Sequence, residues 1–255
     1  MAKRLSKLLP PGTTPRCFDL GCGTGANMRF LAPWIAGPQR WVLLDSDAQH
    51  LERARESVAT WRGDLCVACS IETVCIDLAR DLEAVTFDEG SVVTASALLD
   101  LVSEDWLMRL LKRCSACKAI ALFALSYDGR IELDPPDPYD EAICALVNRH
   151  QRTDKGFGPA LGPAAVSCAR AHLEALQYQV QVSRSDWVLD RSHTRLQEDL
   201  LQGWAQAAIE IAPEQRDRCE LWLSTRLHYL NREQSSVRVG HQDLLGWPLV
   251  RAGYF

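Results

Sequence analysis

The chain has 255 residues, of which 47% are hydrophobic and 24% charged, with a formal net charge of -5. This length accommodates one large domain with a modest elaboration and a substantial buried core. The acidic balance, without any Lys/Arg-rich run, argues against a nucleic-acid-binding face, which concentrates positive charge.

No apolar stretch reaches membrane-spanning length, so no membrane association is expected. The N-terminal residues MAKRLSKLLPPG lack the apolar segment of a signal peptide, and a cytoplasmic location is expected. Ten cysteines are scattered along the chain, several inside apolar runs such as those around Cys17 and Cys75, as small buried hydrophobes of a reducing compartment would be. Two CxxC pairs occur, Cys66/Cys69 and Cys114/Cys117. The second ends an amphipathic helix, neither is followed by a knuckle-like glycine, and no metal site is expected.

Strand and helix signals alternate through the first half. Residues 16–21 are an apolar run ending in glycine. Residues 25–35 carry apolar positions at helical spacing: Met28, Leu31, Ala32 and Ile35. A second strand over 41–45 precedes a helix over 48–61, and a third strand over 71–77 precedes a short helix near 79–85. A fourth strand over 91–97 leads to a helix over 104–117, and 118–127 contains a fifth strand.

Continuous apolar strands between amphipathic helices indicate a parallel sheet covered on both faces. The expected fold is therefore α/β, a doubly wound, mostly parallel seven-stranded sheet with helices on both faces.

The second half departs from this alternation. Residues 128–139 are acidic and proline-rich, which suggests a loop. A helix over 139–150, a polar glycine-containing loop over 150–162, a helix over 163–177 and a strand over 179–189 follow. Apolar stripes then predict two helices, 196–211 and 213–231, and a last strand covers 236–240. We read one domain, with a core over 16–127 and insertions at 128–162 and 191–234.

The glycine loop follows a strand and opens a helix, the context in which such a motif binds an anionic ligand group. Gly21, Gly23 and Ala26 also fit the looser dinucleotide fingerprint, so an NAD(P)-dependent oxidoreductase is an alternative. Asp19 distinguishes the two: a carboxylate near the end of an apolar strand needs a cationic or hydrogen-bonding partner, and the ammonium of a methionine-type ligand is one.

The pattern Asp19-x-Gly21-x-Gly23-x-Gly25 resembles the first motif of the class I S-adenosylmethionine-dependent methyltransferases, and further segments at successive strand ends resemble later motifs of that family. The resemblance implies that Asp45 accepts from the ribose hydroxyls of S-adenosyl-L-methionine and that Asp77, with the Leu78 backbone, meets the adenine. It also implies that Thr94–Asp100 passes beneath the methionine and the transferable methyl. Cys22, Ser46 and Ser96 complete the cofactor set.

For an acceptor-side role, Asp100, Tyr127 and His150 are the first candidates, with Asp128, Asp154 and Lys155 nearby in sequence. His241 is expected to be structural, and His50, His172, His193 and His228 to lie at the surface. Asp134–Pro135–Pro136–Asp137 resembles the DPPY signature of amino-methylating nucleic-acid enzymes, but it follows the fifth strand rather than the fourth and lacks the final aromatic.

Both insertions start at the carboxyl-end edge of the sheet, and the helices of 191–234 are expected to cap the active site; a dimer interface is the other reading. The expected activity is methyl transfer to a nitrogen or oxygen of a small-molecule acceptor by a monomer or homodimer. A non-catalytic cofactor-binding module is a further alternative.

Overall fold

The computed structural model describes residues 1–61 and 69–249. Its central sheet contains β1 (Arg16–Leu20), β2 (Gln39–Asp45), β3 (Cys69–Cys75), β4 (Val92–Ser96), β5 (Ile120–Asp134), β6 (Tyr178–Arg184), β7 (Trp187–Leu189) and β8 (Ser236–Pro248). The order is β3-β2-β1-β4-β5-β8-β6, with β7 also pairing β8. Strands β1 to β5 run parallel, and β8 is antiparallel to β5, β6 and β7. The sheet thus has eight strands among the described residues, because the strand expected over 179–189 is broken between Arg184 and Trp187.

Side-chain alternation explains the two layers. Phe18 and Leu20 of β1, with Val42 and Leu44 of β2, point to one face; Cys17, Trp41 and Leu43 point to the other. The first face is covered by α4 (Leu78–Asp81), α5 (Glu104–Ala116) and α7 (Ala165–Ala175). The second is covered by α1 (Ala2–Leu8), α2 (Ala26–Leu31) and α3 (Ala48–Trp61). Helix α1 carries no long apolar stripe, and its seven residues gave no sequence signal; Leu5 and Ala2 nevertheless seat it in the core. Among the described residues, no helix is long and apolar enough to cross a membrane.

The largest departure from expectation is the length of β5 and β8. Residues 128–134, expected as a loop, continue β5 past the carboxyl ends of its parallel neighbours, paired with an equally extended β8. The register shifts twice, between Phe123 and Ser126 and between Tyr127 and Ile131, around Leu125 and Gly129 with φ of 52° and 91°. Such bulges let a strand bend and twist without losing its partner.

Charged residues are accommodated by pairing: the Arg130 guanidinium meets Asp128 at 2.6 Å and Asp186 at 2.7 Å. Gly240 makes room for this pair, since a Cβ there would collide with the Asp128 carboxylate.

A separate apolar core sits on the extended ribbon. It joins α6 (Asp140–His150), α8 (Thr194–Ile211) and α9 (Arg216–Asn231) to Val237, Val239 and Leu189. At its centre the Arg226 side chain, 1% exposed, pairs with Asp140 and donates to the Pro135 carbonyl. Trp222 Nε1 donates to the same carboxylate at 2.8 Å. Removing one partner of a buried pair leaves an uncompensated charge. Asp140→Ala is expected to lower unfolding free energy by roughly 3 kcal/mol or more, measured by urea denaturation; a loss below about 1 kcal/mol would contradict this assignment.

Candidate active site

The turn after β1 has three glycines in the left-handed region, Gly21, Gly23 and Gly25, with φ of 62°, 51° and 78°. Side chains are strained there, which is why glycine recurs at every second position. The Cys22 N–H donates to the Leu44 carbonyl at 3.0 Å, folding the turn back onto β2. Asp45 closes β2 and fixes the same turn: its Oδ2 accepts from the Gly23 N–H at 2.8 Å, and its Oδ1 from the Asp47 N–H at 2.9 Å. A carboxylate accepts about four hydrogen bonds, so Asp45 keeps capacity for ligand hydroxyls.

Asp19 is fully buried beneath α2. Its Oδ1 accepts from Asn27 Nδ2 at 2.7 Å, and Asn27 also reaches Thr94 Oγ1 at 3.1 Å across the β1–β4 register. Asp19 Oδ2 has no hydrogen-bond partner. Burial lifts the carboxyl to about 7; the bonds from Asn27 and the Met28 backbone act the other way, and the Asp45 charge adds to the rise. A buried acceptor with an empty valence fits a cationic ligand group.

A cavity of about 420 Å³ opens at the carboxyl ends of the parallel strands. Gly21, Asp45 and Ser46, beyond β1 and β2, line it together with Asp77 and Leu78, beyond β3. Asp77 is the N-cap of α4, its Oδ1 accepting from the Ala79 N–H at 3.0 Å. Trp106 Nε1 donates to the Leu78 carbonyl at 2.7 Å and so pins this backbone from below. Another wall is formed by Lys155, Gly156 and Phe157 of the second-half loop.

That loop is compact because Asp154 Oδ1 accepts from the N–H groups of Gly156 and Gly158. It is fastened to the core by the Phe157 ring on Trp106, at 5.3 Å, and by Leu161 N–H on the Val102 carbonyl, at 2.8 Å. A larger cavity, about 790 Å³, lies among Arg16, Arg40, Glu72 and Asp88 at the amino ends of the strands. Arg16 pairs there with Glu72 and Asp88, and ligands of doubly wound sheets bind at the opposite edge.

The acceptor-side candidates separate in space. Ser96 ends β4, and the turn that follows brings Asp100 to Tyr127. Burial raises the Asp100 carboxyl above its ordinary range, with a backbone hydrogen bond from Tyr127 acting the other way; its Oδ1 has no partner. The Tyr127 hydroxyl donates to Asn148 Oδ1 at 2.8 Å, its ring is buried, and it ties β5 to α6 instead of lining the cavity.

His150 stands apart. Its Nε2 is 3.0 Å from Glu210 Oε2, linking α6 to α8, while Lys155 lies 3.4 Å from its other nitrogen. No residue of α8 or α9 lines the cavity. His241 is buried, with Nδ1 facing the Val239 carbonyl.

One contributor had no signal in the sequence: Asn27, which partners Asp19. Leu98, whose side chain lies 3.7 Å from a Cβ placed on Gly21, falls in the 94–100 segment, and Phe157 in a charged loop whose aromatic between glycines suits a binding loop. A smaller cavity, about 200 Å³, lies on the α2 face among Asn27, Phe30, Trp34, Ala124 and Asp243.

Of the CxxC pairs, Cys66 lies outside the described residues, Cys69 and Cys114 are buried, and no disulfide joins the described cysteines.

Residues 18–118 match a family model described as methyltransferase domain. No curated protein matches the chain. Among solved structures, the YcgJ protein of Bacillus subtilis is 15% identical, covering 98% of this chain and 98% of its own, with a TM-score of 0.51. This is a likeness of fold.

A SAM-dependent methyltransferase of Geobacter sulfurreducens in complex with S-adenosyl-L-homocysteine is 14% identical, covering 97% of this chain and 90% of its own, with a TM-score of 0.48. The cyclopropane synthase MmaA2 of Mycobacterium tuberculosis is 13% identical over 92% and 79%, with a TM-score of 0.46.

The matched segment runs from β1 to just beyond α5 and holds the glycine turn with Asp19, Asp45 and Asp77 in order at three strand ends; this part of the chain is similar to a methyltransferase domain.

Proposed function

We propose that the chain transfers the methyl group of S-adenosylmethionine to a nitrogen or oxygen of a small-molecule acceptor in the cytoplasm. The carrying observation is the cavity of about 420 Å³ that is lined by both Asp45 and Asp77, at the ends of the paired strands β2 and β3. These residues fit the nucleoside half of the cofactor. Asp45 accepts from the ribose hydroxyls, Asp77 and the Leu78 backbone meet the adenine, and Gly21, Cys22, Gly23 and Gly25 let the backbone approach the ligand closely. Ser46 lines the same cavity, and we assign Ser96, at the end of β4, to the cofactor set as well. The unpartnered Asp19 Oδ2 is reserved for the cofactor ammonium.

When bound, the cofactor supplies an activated methyl on a sulfonium. What remains for the protein is orientation, exclusion of water and custody of the acceptor proton. The Lys155–Gly156–Phe157 wall shields the cavity. Asp100, with its raised carboxyl and unpartnered Oδ1 at the β4–β5 end, lines neither this cavity nor the smaller one beside Asn27, and we assign it a positioning role on the acceptor side. We give Tyr127 and His150 positioning roles, through Asn148 and Glu210.

The acceptor is assigned to the smaller cavity beside Asn27. Its volume of about 200 Å³ and its exposed Phe30 and Trp34 suit a compact, partly apolar molecule.

Calorimetry separates this reading from the oxidoreductase one. S-adenosylhomocysteine is expected to bind and NADH is not. Asp45→Ala is expected to weaken binding by roughly 10- to 100-fold, the loss of hydrogen bonds to a charged group. Binding of NADH alone, or an unchanged affinity in Asp45→Ala, would refute the assignment.

The raised Asp19 carboxyl adds a pH test. Without ligand it is largely protonated below about 7. A cationic ligand group favours the ionised form, so binding releases a proton on the acid side. Affinity for S-adenosylhomocysteine is expected to rise with pH up to about 7 and then level off. Asp19→Asn should flatten that slope; a slope that persists in the variant would show that Asp19 does not face the ammonium.

For the acceptor, a screen with methyl-labelled cofactor over small amines, phenols and carboxylic acids is expected to find at least one substrate. Trp34→Ala should raise its KM severalfold. Labelling confined to RNA, DNA or protein would contradict the small-molecule assignment.

A further inference from the structure

Glu104 opens α5, and Cys168 and His172 lie four positions apart on α7, so both α7 side chains leave one face of that helix. Glu104 Oε1 is 3.0 Å from His172 Nε2. The carboxylate oxygen, the thiol sulfur and the imidazole nitrogen all lie within 4.8 Å of one another. Donors placed tetrahedrally around a zinc ion, at bond lengths of about 2.0–2.3 Å, stand about 3.3–3.8 Å apart. The three groups are therefore near ligand spacing already.

We propose that Glu104, Cys168 and His172 form a site for a divalent transition-metal ion, zinc by preference, with water in the fourth position. The donor set selects the metal class. Sulfur and imidazole suit zinc, whereas calcium and magnesium take oxygen ligands. Charge is balanced: a carboxylate and a thiolate together neutralise a divalent cation.

The Cys168 thiol is raised to about 11 by its burial and by the Glu104 charge, so it is protonated at neutral pH. Coordination forms the metal–sulfur bond and delivers the thiol proton to solvent. His172 binds through its neutral form, exchanging its contact with Glu104 for a shared ion. Arg170 on the same helix is engaged by Glu174 at 2.7 Å.

The site has a structural consequence. The strap that walls the cofactor cavity packs on Trp106 of α5 through Phe157 and leads into α7 by way of Leu161. An ion shared between Glu104 and α7 would staple the two elements that hold this strap. The donors lie on two helices, 68 residues apart at their extremes, and so leave no local spacing signature in the sequence.

Cobalt(II) titration of the reduced, metal-free full chain tests the site. The expected result is saturation at one ion per chain, with thiolate-to-cobalt charge-transfer absorption and the visible bands of a tetrahedral ion. Cys168→Ser should abolish the charge-transfer band. Glu104→Gln and His172→Gln should weaken cobalt and zinc at least about tenfold. Cys75→Ser, at an exposed thiol outside the triad, should leave the spectrum intact. Circular dichroism checks that each variant is folded. No thiolate band in the wild type, or an unchanged band in Cys168→Ser, would overturn the proposal.

Discussion

The Asp45 carboxylate accepts from the Gly23 N–H at 2.8 Å and from the Asp47 N–H at 2.9 Å, and through these two bonds it holds the glycine turn against the end of β2. A turn with three left-handed residues has no regular hydrogen-bonding pattern of its own. It needs an acceptor from outside, and the neighbouring strand end provides one. The same carboxylate faces the cavity, so the group that shapes the loop is also placed to bind what the loop surrounds. The coupling explains why Asp45 is only partly exposed, with 13% of its side chain in solvent.

The rest of the site follows from how the sheet ends. Parallel strands stop at one edge, and β5 and β8 continue beyond it, joined there by β7. Their ribbon carries the second core of α6, α8 and α9, centred on Arg226 and Asp140. The segment between α6 and α7 is consequently anchored at both ends, and it reaches back over the cavity at Lys155 to Phe157. The insertion that touches the cavity is thus a loop, while the helices of 191–234 support the ribbon and pair with α6 through Glu210 and His150.

What could be read from the sequence has a physical pattern. Strands β1, β2 and β4 were legible because they are largely buried and mostly apolar, whereas β3 is an edge strand with Ser70, Glu72 and Cys75 exposed. The acids near the ends of β1 and β2 stand out against their apolar background. Helices α8 and α9 were legible from their stripes. The continuation of β5 through Asp128, Gly129 and Arg130 was not, because its charges are neutralised by Asp186, a residue 56 positions away from Arg130.

His150 looked like a base on sequence grounds; its partner Glu210 is 60 residues distant and gave no local sign. Asp100 and Tyr127 were expected at one edge, and they do meet there, although the tyrosine hydroxyl is taken by Asn148. Burial of Asp19 was anticipated from its place in an apolar strand; its partner Asn27, the second residue of α2, was not.

The central claim is that the nucleoside of the cofactor lies between Asp45 and Asp77. A structure of the complex with S-adenosylhomocysteine measures this most directly. The account predicts the ribose hydroxyls on the Asp45 carboxylate, the adenine beside Asp77 and Leu78, and the ammonium within hydrogen-bond distance of Asp19 Oδ2. A ligand bound elsewhere, or one that touches neither Asp45 nor Asp77, would contradict it.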